Sequence, residues 1–428
     1  MTQAPSSFFS ATAWKQRLVF WCGAILVGVF ISALTVLSEH TVTWLRDFLQ
    51  RFPWALFVIC PLGMILVTGL TDHFFPGAER SGVPQVRVAL AIHHDLQLRN
   101  RFVSFRIAVG KVLLTNLGLL TGSSAGLGGP AIQIGASLMT ALGKAARFPP
   151  HYLERGLILA GSAAGFAALF SAPLAGIIFA IEELGRSFEE KIGSLVLTAI
   201  ILAGMTAFIL LNHYVFLEAG EVPLPRGGSW LAIPVCGIIG GLAGGLFSAL
   251  MIQSGRWMSQ RAWKSRVATL FFSGLVLAGV HFISHGTTLG TGYPMLKNIL
   301  SDPQTTDPAF AALKATATFF TALSGMPAGL FVPTLSAGAG LGADLLTWLP
   351  FAPPLAVVLL TMCGYFAGMF QNPMTSFVLV MEMTDTHELL LPLMATAFIA
   401  SGTSRLLSPQ PLYETMTAAY AKRLQENA

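Results

Sequence analysis

The sequence predicts an all-α polytopic membrane protein made of two homologous halves, with many short, tilted and broken helices. Three observations carry that expectation. Hydrophobic residues make up 54% of the 428 positions and charged residues 11%, with a mean hydropathy of +0.68, against roughly 25% charged in a soluble domain. The glycine-rich stretch Gly122 to Ala136 recurs at Gly325 to Ala339, where Gly122, Ala125, Gly126, Leu127, Pro130, Gly135 and Ala136 each meet an identical residue 203 positions later. Several apolar segments are too short to span a bilayer, which is tolerated only where their ends are buried in protein or line a cavity.

The repeat extends beyond that stretch. Lys111 and Lys314 are also 203 apart, as are Gly161, Ala164 and Gly165 from Gly364, Ala367 and Gly368; Phe170, Pro173 and Glu182 then match Phe370, Pro373 and Glu382 at an offset of 200. A three-residue indel accounts for the change. Each glycine-rich copy reads as a loop entering a helix with proline in its first turn. A helix start presents unpaired N–H groups and a positive dipole end, so two converging starts make an anion site. Halves with interrupted apolar segments place such a site between them, near the midplane. The residues alone leave open whether the repeat is inverted or parallel.

In chain order, residues 1–16 form a polar tail, and Lys15 and Arg17 precede a first span, Val19 to Ser38, which sets the N-terminus in the cytoplasm. Residues 17–217 make the first repeat. It continues with a shorter span, Trp54 to Thr71, and a polar break before Ser81 to Pro84, where a third helix start carries a hydroxyl. Next come Val103 to Leu120, the first glycine-rich element with Ala131 to Leu142, a polar connection from Lys144 to Arg155, Gly156 to Phe170, Pro173 to Leu184, and Leu195 to Leu217. Residues 218–228 are a polar linker. The second repeat, 229–407, holds Ser229 to Met251, Val267 to Ser284, Phe310 to Leu323, the second glycine-rich element, Pro354 to Phe370, Pro373 to Met383 and Leu389 to Ser401. Residues 408–428 form a cytoplasmic C-terminal segment.

Composition excludes other classes. The net charge of +5 is spread over loops and tails without a basic block interleaved with aromatics, so no nucleic-acid partner is expected. Cys22, Cys60, Cys236 and Cys363 are far apart in apolar runs, giving neither a disulfide framework nor metal spacing. No cofactor is implied. The first apolar run lacks a signal-peptide cleavage site and reads as a retained span. Gly122 to Gly126 formally matches GxSxG with Ser124 as nucleophile, but no strand precedes it, and His281 and His285 have no acid orienter nearby, so an enzyme is not expected.

These features resemble the CLC family of chloride channels and chloride/proton exchangers over nearly the full length. The family's GSGIP, GREGP and GGIFAP occur in order as Arg80 to Pro84, Gly126 to Pro130 and Ala328 to Pro333; its late tyrosine matches Tyr413, and its paired glutamates match Glu182 and Glu183. The resemblance implies an inverted repeat and a homodimer with one anion pathway per subunit; the short chain without cytoplasmic domains looks bacterial, so an inner membrane with both termini cytoplasmic is expected. Carried over residue by residue, it implies an anion site made by the Ser81 hydroxyl beside Gly82, the N–H groups of Leu330 and Phe331, and the Tyr413 phenol. A dehydrated anion needs such neutral donors, whereas a full cation would hold it too tightly. Read singly, Ser81 fits a helix N-cap equally well, while Phe331 fits core packing and Tyr413 an interfacial anchor better than they fit a site.

At Gly128, between Gly126 and Gly129 on the pore, the family usually carries a glutamate that gates the pathway and exchanges a proton. Its neighbouring arginine is Leu127 here, and the first glycine of the first signature is Arg80, which adds a cation beside Ser81. Loss of the carboxylate leads us to expect passive, uncoupled, channel-like movement of chloride. Glu183 matches the position that accepts protons from inside in the exchangers, but also fits a structural carboxylate paired with Arg186. The alternatives are a chloride/proton antiporter using another acid, for which Asp344 and Glu382 are available, and a transporter of a different small anion, fluoride included. Glu182 and Glu382 are repeat mates, which suggests a structural role for both.

Overall fold

Backbone polar groups find no partner in hydrocarbon, so an apolar chain of this composition closes its hydrogen bonds within helices. The computed structural model describes residues 11–92, 95–147, 153–185, 193–211, 216–217, 219–220, 222–225, 227–260 and 263–426. Among these, all regular structure is helical. The first half contains α1 (Ala11–Arg51), α2 (Leu56–Phe74), α3 (Val83–Ala91), α4 (Leu96–Asn100), α5 (Phe105–Leu120), α6 (Gly128–Ala145), α7 (Leu153–Phe170), α8 (Pro173–Phe179) and α9 (Ser194–Leu211). The second contains α10 (Ala232–Ser259), α11 (Trp263–Ile283), α12 (Tyr293–Ser301), α13 (Phe310–Leu323), α14 (Phe331–Asp344), α15 (Pro354–Phe370), α16 (Pro373–Thr384), α17 (Leu390–Ser404) and α18 (Leu412–Glu426).

Six helical stretches are long and apolar enough to cross a membrane: Trp14–Arg51, Pro53–Phe74, Leu96–Leu120, Ser194–Leu211, Gly228–Met258 and Lys264–Ile283. Their outer faces are apolar; Ile209, Phe272 and Val58 are 69%, 61% and 59% exposed, a surface that suits lipid and not water. The first span is longer than expected. At about 1.5 Å per residue α1 extends roughly 60 Å, twice the hydrocarbon thickness, because its polar residues from Glu39 onward continue the helix beyond the apolar run. Three helices lie outside the expected segments: α4, α12, and α18, which folds back so that Leu412 and Tyr413 are buried.

Inside, glycines let backbones touch. A Cβ on Gly135 would overlap the carbonyl of Gly161 and one on Gly165 that of Ala131, so α6 and α7 pack backbone to backbone. The two halves are related as an inverted repeat. Gly126 and Gly329, repeat mates, pair as an antiparallel bridge, with Gly126 N–H to Gly329 O at 2.7 Å and Gly329 N–H to Gly126 O at 2.9 Å. The mates α8 and α16 also run antiparallel. Glu182, just past α8, accepts from the N–H groups of Met374 (3.1 Å) and Thr375 (2.6 Å) at the start of α16, while Glu382 near the end of α16 accepts from Leu174 (3.0 Å) and Ala175 (2.7 Å) at the start of α8. Both carboxylates fill the first-turn donors that a proline-started helix leaves open.

Buried lysines repeat the symmetry. Lys111 Nζ donates to the carbonyls of Ala78 (2.8 Å) and Arg80 (2.7 Å), folding the loop before α3; Lys314 Nζ donates to Thr288 O, Gly290 O and Ser124 Oγ, each at 2.9 Å, folding the loop before α12. Each of those helices begins after a left-handed glycine, Gly82 (φ 105°) or Gly292 (φ 84°), and carries proline in its first turn. Gly82–Pro84 and Gly292–Pro294 are thus further repeat mates, at a different offset from the others.

Candidate anion site at the converging helix starts

The bridge between Gly126 and Gly329 holds the starts of α6 and α14 against each other. Their first-turn N–H groups, including those of Leu330 and Phe331, have no acceptor within the helix. The start of α3 joins them from the side: a Cβ on Gly82 would come 2.8 Å from Gly129 O, and one on Gly129 would overlap Ser81. Only glycine permits three helix starts to approach so closely.

Ser81 is not a cap. Gly82 occupies the N-cap position of α3 and makes no side-chain cap bond, while the Ser81 hydroxyl lies 3.1 Å from the Tyr413 hydroxyl. Both residues are buried, at 2% and 1% exposure. Tyr413 is held by stacking on Phe370, with ring centroids 5.2 Å apart, and by the edge of Phe331 at 6.0 Å. Of the sequence-predicted residues, Ser81, Gly82, Gly126, Gly128, Gly129, Leu330, Phe331 and Tyr413 therefore meet at one place.

Glu183 lies apart from that cluster but is tied to it. A π-helical turn, Ala180–Leu184, follows α8 and lets consecutive glutamates point to different partners. Glu182 goes to the α16 N–H groups, and Glu183, 1% exposed, takes an ion pair from Arg87 Nη1 and a hydrogen bond from Asn372 Nδ2. Arg186, the partner expected for Glu183, lies outside the described residues. Arg87 lies at the middle of α3, so the helix that begins beside Ser81 is also tied to the buried carboxylate. No sequence pattern marked Arg87, which stands 96 positions from its partner.

The remaining candidates stand elsewhere. Glu382 caps α8, and Asp344 ends α14 away from the helix starts. Ser124 accepts from Lys314, and His281 bonds Gly122 O and Thr288 Oγ1, both at 2.7 Å, so these residues brace loops and do not form a nucleophile and base pair.

Two cavities open toward this centre. One, of about 610 Å³, is lined by Arg80, Arg256 and Lys422 together with Met416 and Tyr420 of α18. The other, of about 330 Å³, is lined by Leu127 and Val332 of the glycine-rich starts with Glu39, Arg46 and Lys297. The first lies at the end of α10 and the second beside the start of α12; between them α11 runs 21 residues, about 30 Å, so they face opposite sides of the membrane.

The sequence expectation at Gly128 was a pathway without the proton-coupled carboxylate gate; in the structure the space beside Gly128 is occupied. A Cβ on Gly128 would overlap the ring of Phe331, its own repeat mate. That ring is 2% exposed and sits among Phe166, Phe179, Phe366 and Phe370, with centroids 4.9 to 6.2 Å away. The room left by the missing carboxylate is filled by an aromatic seal.

Comparison with known proteins corrects the functional expectation. The profile of the family described as voltage gated chloride channel matches residues 62–405. The chain is 26% identical to the H(+)/Cl(-) exchange transporter ClcA of Yersinia pestis bv. Antiqua (strain Angola), over 97% of this chain and 90% of the relative, and 28% identical to the protein of the same name from Salmonella paratyphi A (strain ATCC 9150 / SARB42), over 97% and 91%. Among solved structures, it superposes on a slow cyanobacterial Cl-/H+ antiporter with a TM-score of 0.82 at 22% identity, covering 95% of this chain and 98% of the other, and on a CLC-type fluoride/proton antiporter with 0.75 at 22%, covering 92% and 97%. The named relatives are exchangers. The expectation of passive, uncoupled chloride movement is overturned by them, and the Phe331 ring beside Gly128 means that loss of a carboxylate there does not by itself leave a free passage.

Proposed function

The chain belongs to the voltage-gated chloride channel family, and on that premise we propose that it is a multi-pass antiporter exchanging a small anion of the chloride class for protons. The observation that carries this reading is the double attachment of α3. Its start presents Ser81 to Tyr413, and its middle binds the buried Glu183 through Arg87. A ligand shifts a conformational equilibrium only through contacts that differ between the states. Protonating Glu183 abolishes its ion pair with Arg87, which frees α3 to move and alters the hydroxyl pair at its start. An anion held by Ser81, Tyr413 and the N–H groups of Leu330 and Phe331 acts on the same helix from its start.

The proton needs an acid on each side of the seal. Glu183 serves the side of α18, and Glu39, the carboxylate lining the opposite cavity among the described residues, serves the other. Positive residues before the first span and around the α18 cavity support a cytoplasmic position for that side. The two repeats, 17–217 and 229–407, act as two walls around the site, and two copies of the chain make the working unit.

The test is chloride flux from liposomes containing the purified protein, with external pH recorded and with or without a protonophore. A chloride gradient drives protons uphill in the parent, and Glu183→Gln moves chloride without protons. Chloride movement that leaves pH unchanged in the parent would sink the antiport reading.

A further inference from the structure

Where α1, α5 and α6 meet, the outer surface carries a groove of about 240 Å³ whose lining side chains are all apolar. Small residues make it. Ala33 of α1 and Ala108 of α5 set two walls back, and the buried Ile134 and Leu138 of α6 form the floor, while Phe30 and Phe105 stand out beside them at 40% and 56% exposure. The groove alone selects no occupant, because a lipid tail is as apolar as leucine.

The end of the groove is different. Phe105 opens α5, and Lys144 comes six residues after Leu138, about 9 Å further along α6. Lys144 Nζ hydrogen-bonds Asn100 Oδ1, which sets the end of α6 beside Arg101. Arg106 follows Phe105, and its Nη2 donates to Phe74 O at 2.7 Å. Arg101, Arg106 and Lys144 are exposed, and among the described residues none of the three pairs with a carboxylate. Asp95, the acid between residues 95 and 106, serves as the N-cap of α4, accepting from Leu98 N–H at 2.8 Å. Lys144 stands close enough to Arg99 for their like charges to repel. The start of α5 adds to the field: its first turn holds no acid, and the N–H groups of Phe105 and Arg106 have no acceptor within the helix. The ring of Phe102 meets that of Tyr420 on α18 edge to face, with centroids 6.4 Å apart, so this rim lies on the α18 side of the membrane.

We propose that the groove and its basic rim bind one anionic phospholipid of the leaflet on the α18 side. The phosphate lies among Arg101, Lys144 and the start of α5, and an acyl chain runs along Ala33 and Ala108. Basic residues at the ends of spanning helices attract anionic headgroups, and the phosphate relieves the repulsion between Lys144 and Arg99. The rim supplies the selection and the groove supplies the position. The site does not depend on how the protein couples anions to protons.

The test is native mass spectrometry of the purified protein in neutral detergent, titrated with phosphatidylglycerol, with phosphatidylcholine and with inorganic phosphate. The parent retains one phosphatidylglycerol more per chain than the double variant Arg101→Gln/Lys144→Gln, in which half-saturation of that lipid needs about tenfold more or above. Ala33 is exposed, so Ala33→Phe puts its ring in the groove and not in the core; it loses the same lipid with the rim charge intact. Arg101→Lys/Lys144→Arg keeps it. Parent-like retention in either the double glutamine variant or Ala33→Phe overturns the proposal. Equal retention of phosphatidylcholine by the parent refutes an anionic lipid, and displacement of the phosphatidylglycerol by an equal concentration of inorganic phosphate refutes a site that needs the acyl chain.

Discussion

The pairing of Gly128 with Phe331 decides how the pathway is closed. These are mates in the internal repeat, and one has surrendered its side chain to the space of the other. Gly128→Ala must push the ring aside, and overpacking of this kind costs about 1–3 kcal/mol. Phe331→Ala loses a buried ring, about 3 kcal/mol by the usual cost of such cavities, and opens the seal. Thermal unfolding in detergent should show both losses, and the double variant should recover at least about 1 kcal/mol of their sum, because contacting residues couple. Strict additivity would show that the two do not touch. In flux measurements Phe331→Ala moves more anion per proton than the parent. The sequence made Gly128 conspicuous, since a motif marks the position. What fills the gap depends on a contact across 203 positions that only the folded chain brings together. The Arg87 to Glu183 pair was hidden for the same reason.

At the level of elements, the paired caps of α8 and α16 explain how helices that stop inside a membrane survive there. Each begins with proline and leaves first-turn N–H groups facing its partner, and each supplies the other with a glutamate. An N-terminal carboxylate accepting two N–H bonds contributes about 1 kcal/mol, so Glu182→Gln and Glu382→Gln should each lower stability by about that much. Glu183→Gln tests a different function, since its carboxylate faces Arg87 and not a helix end. Unfolding midpoints equal to the parent in both cap variants would deny the caps their weight. The repeat offset of 200 already suggested a shared structural role for Glu182 and Glu382. Helices α12 and α18 were not legible: the first is short and moderately polar, and the second has the composition of a solvent-facing tail, with Leu412 and Tyr413 at its start the fully buried side chains among the described residues.

For the molecule as a whole, the inverted repeat places two mouths on opposite sides of one seal, and that arrangement can be checked without measuring transport. The basic mouth is bordered by Gln410 and the other by Asn298. Because α11 crosses about 30 Å between them, a membrane-impermeant thiol reagent cannot reach both from one side. Cys60, Cys236 and Cys363 are buried and Cys22 is exposed, so a Cys22→Ser background removes the accessible native thiol. In intact cells Asn298→Cys should label and Gln410→Cys should not; in inside-out vesicles the preference should reverse. The direction follows from positive charge, which favours the cytoplasmic side: Arg80, Arg256 and Lys422 surround the Gln410 mouth. The other mouth sets Arg46 and Lys297 against Glu39. Labelling of both residues from one side would refute the two-mouth arrangement itself. Labelling of Gln410→Cys alone in intact cells would keep the arrangement but invert it, placing the basic mouth outside and requiring Glu183 to take its proton from there.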